Sequence, residues 1–255
     1  MPPDSVEEYI EGRQAVREAL RAGVPLTWVR IARGARGPAM AEIMEAAREA
    51  QVPVFTVDRR QLDRLTGGRR HQGVVAAYAG FRYRDLADII AQAQAAPADP
   101  FILLAAGILD PRNLGSLIRT AEGAGVHGVV IPRHRSALVT PTVIKASAGA
   151  ALHMPVAVVA NLSQAIVQLK EHGLWVVAAD PEGEESLYTA DLLGPIAVVV
   201  GGEGKGIPPL VRKHCDMGLR IPMQGRVTSL NAGVAGGLIL YEIVRQRLLN
   251  GKREK

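Results

Sequence analysis

The sequence predicts an α/β protein in two units, a small front unit and a larger one built on a largely parallel sheet. Three observations carry this reading. Apolar runs of strand length alternate with segments of helical periodicity along the chain. Beyond residue 100 those runs are continuously apolar, as strands buried on both faces are. The pattern also restarts after Pro97-Ala98-Asp99-Pro100, a clear chain breaker. With 255 residues, 48% apolar and 22% charged, the chain has ample material for a core and lies far from wholesale disorder.

In the front unit, residues 11–22 read as a helix with Val16, Ala19 and Leu20 on one face. Residues 26–32 form a strand, and the turn Arg33-Gly34-Ala35-Arg36-Gly37-Pro38 follows. A second helix at 39–51 presents Met40, Ile43, Met44 and Ala47. A strand at 52–57 leads to Asp58, which caps a short helix through Leu65, and a strand at 73–78 closes the unit. The first domain is therefore 1–79. Residues 80–100 form a linker that contains an Ala/Gln-rich helix at 85–95. The second domain, 101–255, has strands at 101–109, 126–132, 155–160, 174–179 and 196–201. Its helices fall at 114–123, 162–171, 208–215 and 232–249. No fixed period repeats, which excludes a solenoid.

Composition limits the function classes. The net charge is +5, and 14 Arg stand against 10 acidic residues within positions 1–84. This suggests a basic front module that meets polyanions, and Arg binds phosphate bidentately. Arg-favouring codon usage gives the same count. Aromatic residues are only 4%, which argues against a stacking platform for single strands. No apolar run is long enough to span a membrane. The start, Met1-Pro2-Pro3-Asp4, lacks the layout of a secretory signal, and the lone Cys215 cannot form an internal disulfide. A cytoplasmic location is expected.

Two glycine-rich loops need care. Gly123-Ala124-Gly125-Val126-His127-Gly128 has the letters of a dinucleotide fingerprint, but it ends a helix and enters a strand, the reverse of the required order. Gly201-Gly202-Glu203-Gly204-Lys205-Gly206 is no nucleotide triphosphate loop, because Gly206 replaces the hydroxyl residue that would hold magnesium. It does end a buried strand, where ligands sit in open α/β sheets; a ligand loop and a plain tight turn both fit.

Three segments then stand together. Asp110-Pro111-Arg112-Asn113-Leu114-Gly115 leads into Arg119. Glu203 sits on the glycine loop. Ile221-Pro222-Met223 runs on to Ser229-Leu230-Asn231, ahead of a helix that opens with Gly233, Gly236 and Gly237. Singly, Asn113, Ser229 and Asn231 could be ordinary helix caps and Arg119 a solvated helix residue. Together, in this order and with Lys145-Ala146-Ser147-Ala148-Gly149-Ala150 between them, they resemble the motifs of the SpoU (TrmH-like) RNA ribose 2′-O-methyltransferases of the SPOUT superfamily. Tyr9-Ile10-Glu11-Gly12-Arg13 and His71-Gln72-Gly73-Val74 resemble the subgroup that modifies a guanosine of 23S ribosomal RNA.

The resemblance implies a parallel α/β sheet with a deep C-terminal trefoil knot, preceded by an RNA-binding domain similar to ribosomal protein L30e. Knots are otherwise excluded by default. It implies S-adenosylmethionine as cofactor, with Gly201, Ile221 and Leu230 as contacts and Gly206 and Met223 beside them. It gives Arg119 the central catalytic role, with Asn113, Glu203, Ser229 and Asn231 around it. A guanidinium is effectively never deprotonated, so holding an alkoxide or phosphate suits Arg119 better than acting as a base. RNA grip is expected from Arg69, Arg70 and His71, and the resemblance implies a homodimer through the second domain, with both subunits shaping the site. No metal site is expected, since consecutive His214-Cys215-Asp216 cannot readily converge on one ion. The alternatives are a transfer RNA substrate or a non-catalytic RNA-binding assembly factor. The sequence departs from the family at Gly202 and at Ala232-Gly233.

Overall fold

The computed structural model describes residues 8–68, 70–204 and 206–250. The front unit comprises β1 (Glu8–Glu11), α1 (Arg13–Arg21), β2 (Leu26–Ala32), α2 (Pro38–Glu49), β3 (Val54–Val57), α3 (Arg59–Thr66) and β4 (Val74–Tyr78). Its four strands lie in the order β1-β4-β2-β3; β3 runs parallel to β2, and β4 antiparallel to both its neighbours. One face buries Val29, Ile31, Val74 and Ala76 beneath α1 and α2, which contribute Val16, Leu20, Met40 and Ile43. Alternation places Trp28, Arg30 and Ala32 on the other face, where α3 covers only one end, through Leu62. The start of the unit differs from expectation. Glu11 ends a strand, and α1 begins only after Gly12, whose φ of +92° breaks the helix direction.

The second unit follows with α4 (Leu86–Ala95), β5 (Phe101–Ala106), α5 (Pro111–Gly123), β6 (Gly128–Pro132), α6 (Pro141–Ala146), a 3-10 turn (Ala150–Leu152), β7 (Val156–Val159) and α7 (Leu162–Glu171). It continues with β8 (Trp175–Ala179), β9 (Glu185–Ser186), β10 (Ile196–Gly201), α8 (Pro209–His214), β11 (Met217–Arg220) and α9 (Ala232–Asn250). All seven strands are parallel, in the order β7-β6-β5-β10-β8-β11-β9. β5 is buried along its whole length, as its continuous apolar run predicts. β11, with the sequence Met-Gly-Leu-Arg, carries no such run and escapes periodicity analysis.

The expected linker at 80–100 requires correction. Leu86, Ile89, Ile90 and Ala93 of α4 are buried against Ile102, Leu104 and Val130 of the large sheet. Arg84 already bridges to Ala157. A helix that buries an apolar face this fully belongs to the second unit rather than to a hinge. The two units also meet at an exposed ion pair between Lys145 and Glu18.

Candidate active site

Strands β5, β10, β8 and β11 are neighbours and parallel, so their C-terminal loops emerge on one side of the sheet. This is where open α/β sheets receive ligands. There a pocket of about 670 Å³ is lined by the ends of β8 (Ala179, Asp180), the glycine loop after β10 and the segment after β11. Gly201, Gly206, Ile221, Met223 and Leu230 all line it, as do Glu203, Ser229 and Asn231.

The glycine loop is at once a tight turn and a pocket wall. Gly206 N donates to Gly202 O at 3.0 Å, and Gly204 and Gly206 have φ of +82° and +61°. A Cβ on Gly201 would lie 2.5 Å from Ile207 N, and one on Gly202 would overlap the Gly107 carbonyl. Backbone packs on backbone here, which only glycine permits. Glycine within α9 has a similar cause: a Cβ on Gly236 would overlap Leu117 of α5.

Three side chains far apart in sequence close a hydrogen-bonded ring at the pocket. Asn113 Nδ2 donates to Glu203 Oε1 at 3.0 Å. Asn231 Nδ2 donates to the same oxygen at 2.5 Å and to Asn113 Oδ1 at 3.0 Å. A carboxylate accepting two amide donors is a charge-assisted arrangement that fixes all three groups. Asn231 also caps α9, its Oδ1 accepting from Gly233 N at 2.9 Å. Asn113 is not a cap. Asp110 caps α5 by accepting from Arg112 N at 2.8 Å, leaving the Asn113 amide for Glu203.

Arg119 is not brought to this ring. It lies six residues beyond Asn113 on α5, about 120° away around the helix, is exposed, and is absent from the pocket lining. Within one chain, the ring residues therefore do not surround it. In the front unit, Arg69 lies outside the described residues, and Arg70 is exposed. His71 corrects the expectation of RNA grip. Its ring is 3% exposed, Nδ1 accepts from Gly73 N at 3.1 Å, and Nε2 donates to Asp63 Oδ1 at 2.9 Å. With both ring nitrogens engaged inside the chain, it braces the turn before β4.

Sequence reasoning missed the β8 side of the pocket. Arg212 of α8 binds Asp180 at 2.8 Å and Glu184 at 2.7 Å. Asp180, then Glu184, hold its guanidinium above its ordinary pKa. The rule that flagged the end of β10 would have flagged Asp180, since it also follows a buried parallel strand. Near α8, His214, Cys215 and Asp216 face separate partners: Leu210 O, Val211 O and Val176 N. Burial pushes the Cys215 thiol up to about 11. No helix among the described residues is long and apolar enough to cross a membrane.

Comparison with known proteins agrees with this layout. The profile of the SpoU rRNA methylase family matches residues 100–241, and that for RNA 2′-O ribose methyltransferase substrate binding matches residues 9–84. YacO of Bacillus subtilis, assigned to the TrmH family of tRNA/rRNA methyltransferases, is 41% identical over 94% of this chain and 96% of its own. A tRNA/rRNA methyltransferase of Mycolicibacterium vanbaalenii is 42% identical over 94% of this chain and 77% of its own. Among solved structures, the SpoU methyltransferase AviRb of Streptomyces viridochromogenes, crystallised with AdoMet, aligns with a TM-score of 0.72 at 25% identity, covering 95% of this chain and 91% of that one. An AdoMet-bound rRNA methyltransferase of Sinorhizobium meliloti aligns at 0.63 and 26% identity, covering 93% and 87%. On this family match and on identity sustained across nearly the whole length, the chain belongs to the SpoU methylase family of RNA methyltransferases.

Proposed function

We propose that this protein transfers a methyl group from S-adenosylmethionine to a ribose 2′-hydroxyl of RNA, with a guanosine of 23S ribosomal RNA as target. The observation that carries the reading is the Asn113–Glu203–Asn231 ring set against a glycine-walled pocket. The pocket suits the cofactor. Its wall is backbone that a Cβ would fill, and Ile221, Met223 and Leu230 offer an apolar surface to a base. When bound, S-adenosylmethionine supplies an electrophilic methyl carbon on a cationic sulfur.

The chain's own residues supply positioning. Gly201, Gly206, Ile221, Met223 and Leu230 line the cofactor pocket, while the ring holds three polar groups in fixed orientation beside it. A ribose hydroxyl is a weak nucleophile, so orientation and charge stabilisation must contribute most of the rate. Arg119, permanently charged, holds the developing alkoxide or the adjacent phosphate, and Ser229 lies exposed at the pocket for a further hydrogen bond. Because Arg119 lies outside the pocket of its own chain, we place it at the site of a second copy in a homodimer. The exposed stripe Val234, Leu238 and Tyr241 on α9 fits such an interface. The same reading includes the family's trefoil knot, supported by the packing of α9 back onto α5 and β10 after the 221–231 segment. It places RNA binding on the front domain, 1–79, through Arg70 and, outside the described residues, Arg69.

Mapping ribose methylation on ribosomal and transfer RNA from cells with and without the gene tests the activity and the substrate. Loss of a single 2′-O-methylguanosine in 23S RNA is expected. Loss confined to transfer RNA would move the substrate, and no loss in either would overturn the reading. Arg119→Ala is expected to abolish transfer while leaving cofactor affinity within about twofold, since its charge acts on the transition state. Retained activity would remove Arg119 from the mechanism.

A further inference from the structure

We propose that the open sheet face of the front unit takes an unpaired nucleotide of the substrate RNA, stacking its base on Phe55 and holding its phosphate with Arg30 and Arg64. The inference rests on the RNA reading above and adds a place and a chemistry that the motifs do not assign.

Strand register builds this face. Tyr9 lies opposite Ala77, which lies opposite Trp28. Glu11, Val75, Arg30 and Phe55 form the next cross-strand row. Residues directly opposite one another share a face, so three of the chain's ten aromatic side chains stand on one side of one small sheet. Tyr9 and Trp28 are in contact, with ring centroids 5.8 Å apart, and the Arg30 guanidinium lies over Trp28 at 4.1 Å. The low aromatic content that argued against stacking is thus locally reversed.

The face is open where it matters. Helix α3 covers the end near Ala32 and Val75, and beside it Arg30, Phe55, Val57, Gln61, Arg64 and Leu65 line a shallow, open groove of about 580 Å³. A nucleotide-sized ligand fits that volume. Phe55 is 50% exposed on the edge strand β3, an expensive position for an aromatic ring with nothing to cover it. Neither Arg30 nor Arg64 pairs with a carboxylate among the described residues. Arg59 and Arg60 add positive charge on α3, against Asp58 at its start, and Asp63 of the same helix is taken by His71. An aromatic ring flanked by uncompensated guanidinium groups fits a base and its phosphate, whereas an apolar protein segment would leave those charges unanswered.

The test uses the full chain with Trp175→Phe, which leaves Trp28 as its only tryptophan. Emission is followed during titration with a ten-nucleotide oligouridylate, with the same strand paired to oligoadenylate, and with inorganic polyphosphate. The single strand is expected to quench Trp28 and to bind more tightly than the duplex. Phe55→Ala should weaken it about tenfold, and Phe55→Tyr should restore it. Arg30→Ala and Arg64→Ala should weaken it and flatten its salt dependence. Unchanged S-adenosylmethionine affinity and melting temperature certify folding. Equal affinity of Phe55→Ala and parent, or equal binding of polyphosphate and oligonucleotide, would overturn the proposal. So would a Phe55→Ala effect confined to self-association through β3. Oligonucleotide binding through Phe55 in a chain that methylates no RNA would overturn the enzymatic reading and leave this one standing.

Discussion

The two sheets of this molecule follow the same α/β grammar and put their open surfaces in different places. The large sheet is parallel and covered on both faces, so the accessible backbone lies at the strand ends, and the candidate active site forms from the loops there. The small sheet is mixed, with α1 and α2 on one face and α3 over only part of the other. Its accessible surface is the sheet face, lined by side chains instead of backbone. A covered sheet makes a site from glycines and caps. A half-covered sheet makes one from aromatic and charged side chains, which is why the two regions call for different substitutions to probe them.

The sharpest separation of the two regions is expected from Gly201→Ala. The added methyl has no space against the Gly206–Ile207 backbone, so overpacking costs about 2 kcal/mol. Cofactor affinity should fall at least about tenfold, while oligonucleotide binding at Phe55 is untouched. Calorimetric melting and cofactor titration check both parts, and a normal titration would break the claim that backbone contact shapes the large-sheet site.

A smaller effect on stability, and a more selective one, is expected at the ring. Asn231→Ala loses the α9 cap at about 1 kcal/mol and unfastens Glu203, with methyl transfer falling about a hundredfold. Asn231→Asp keeps a capping oxygen but sets a second carboxylate against Glu203. It should melt near the parent and still lose activity. If both variants lose activity only in proportion to stability, the ring is structural alone.

The smallest expected effect is a pH dependence confined to the large unit. His127 accepts from Phe101 N at 3.1 Å, and burial, with the charge of Arg247, holds its pKa below the ordinary 6.5. A lowered imidazole pKa favours the folded state above about 6.5. As pH falls through that value the unfolded chain takes the proton first, and stability drops. His127→Asn retains an acceptor without titrating, so melting curves between pH 7.5 and pH 5.5, taken as about one unit either side of 6.5, should be flatter than those of the parent. Equal slopes would assign the dependence elsewhere.

The continuous runs at 101–106 and 196–201 were legible because burial on both faces leaves no polar alternation to interpret. Strand β11 was not, since two glycine and arginine positions among four residues carry no period. Within the site, Asn113, Glu203 and Asn231 could be named from motif order. That Asn113 donates to Glu203 instead of capping its helix depended on Asp110 taking the cap first. The burial of His71 was not legible for a related reason, because a one-dimensional motif does not contain the depth of a side chain.

The amino-acid sequence by itself determined the alternation of elements and the glycine positions that demand close approach, while its resemblance to the SpoU family named the groups that meet at the pocket. The first two properties are local, set by side-chain type and short spacing. Tertiary structure alone decided which distant residues share an oxygen, that residues 85–95 pack on a sheet instead of spanning a hinge, and that Tyr9, Trp28 and Phe55 stand on one face. Each of those depends on strand order and register, and hydrogen bonds between strands fix both without regard to how far apart their residues lie in the chain.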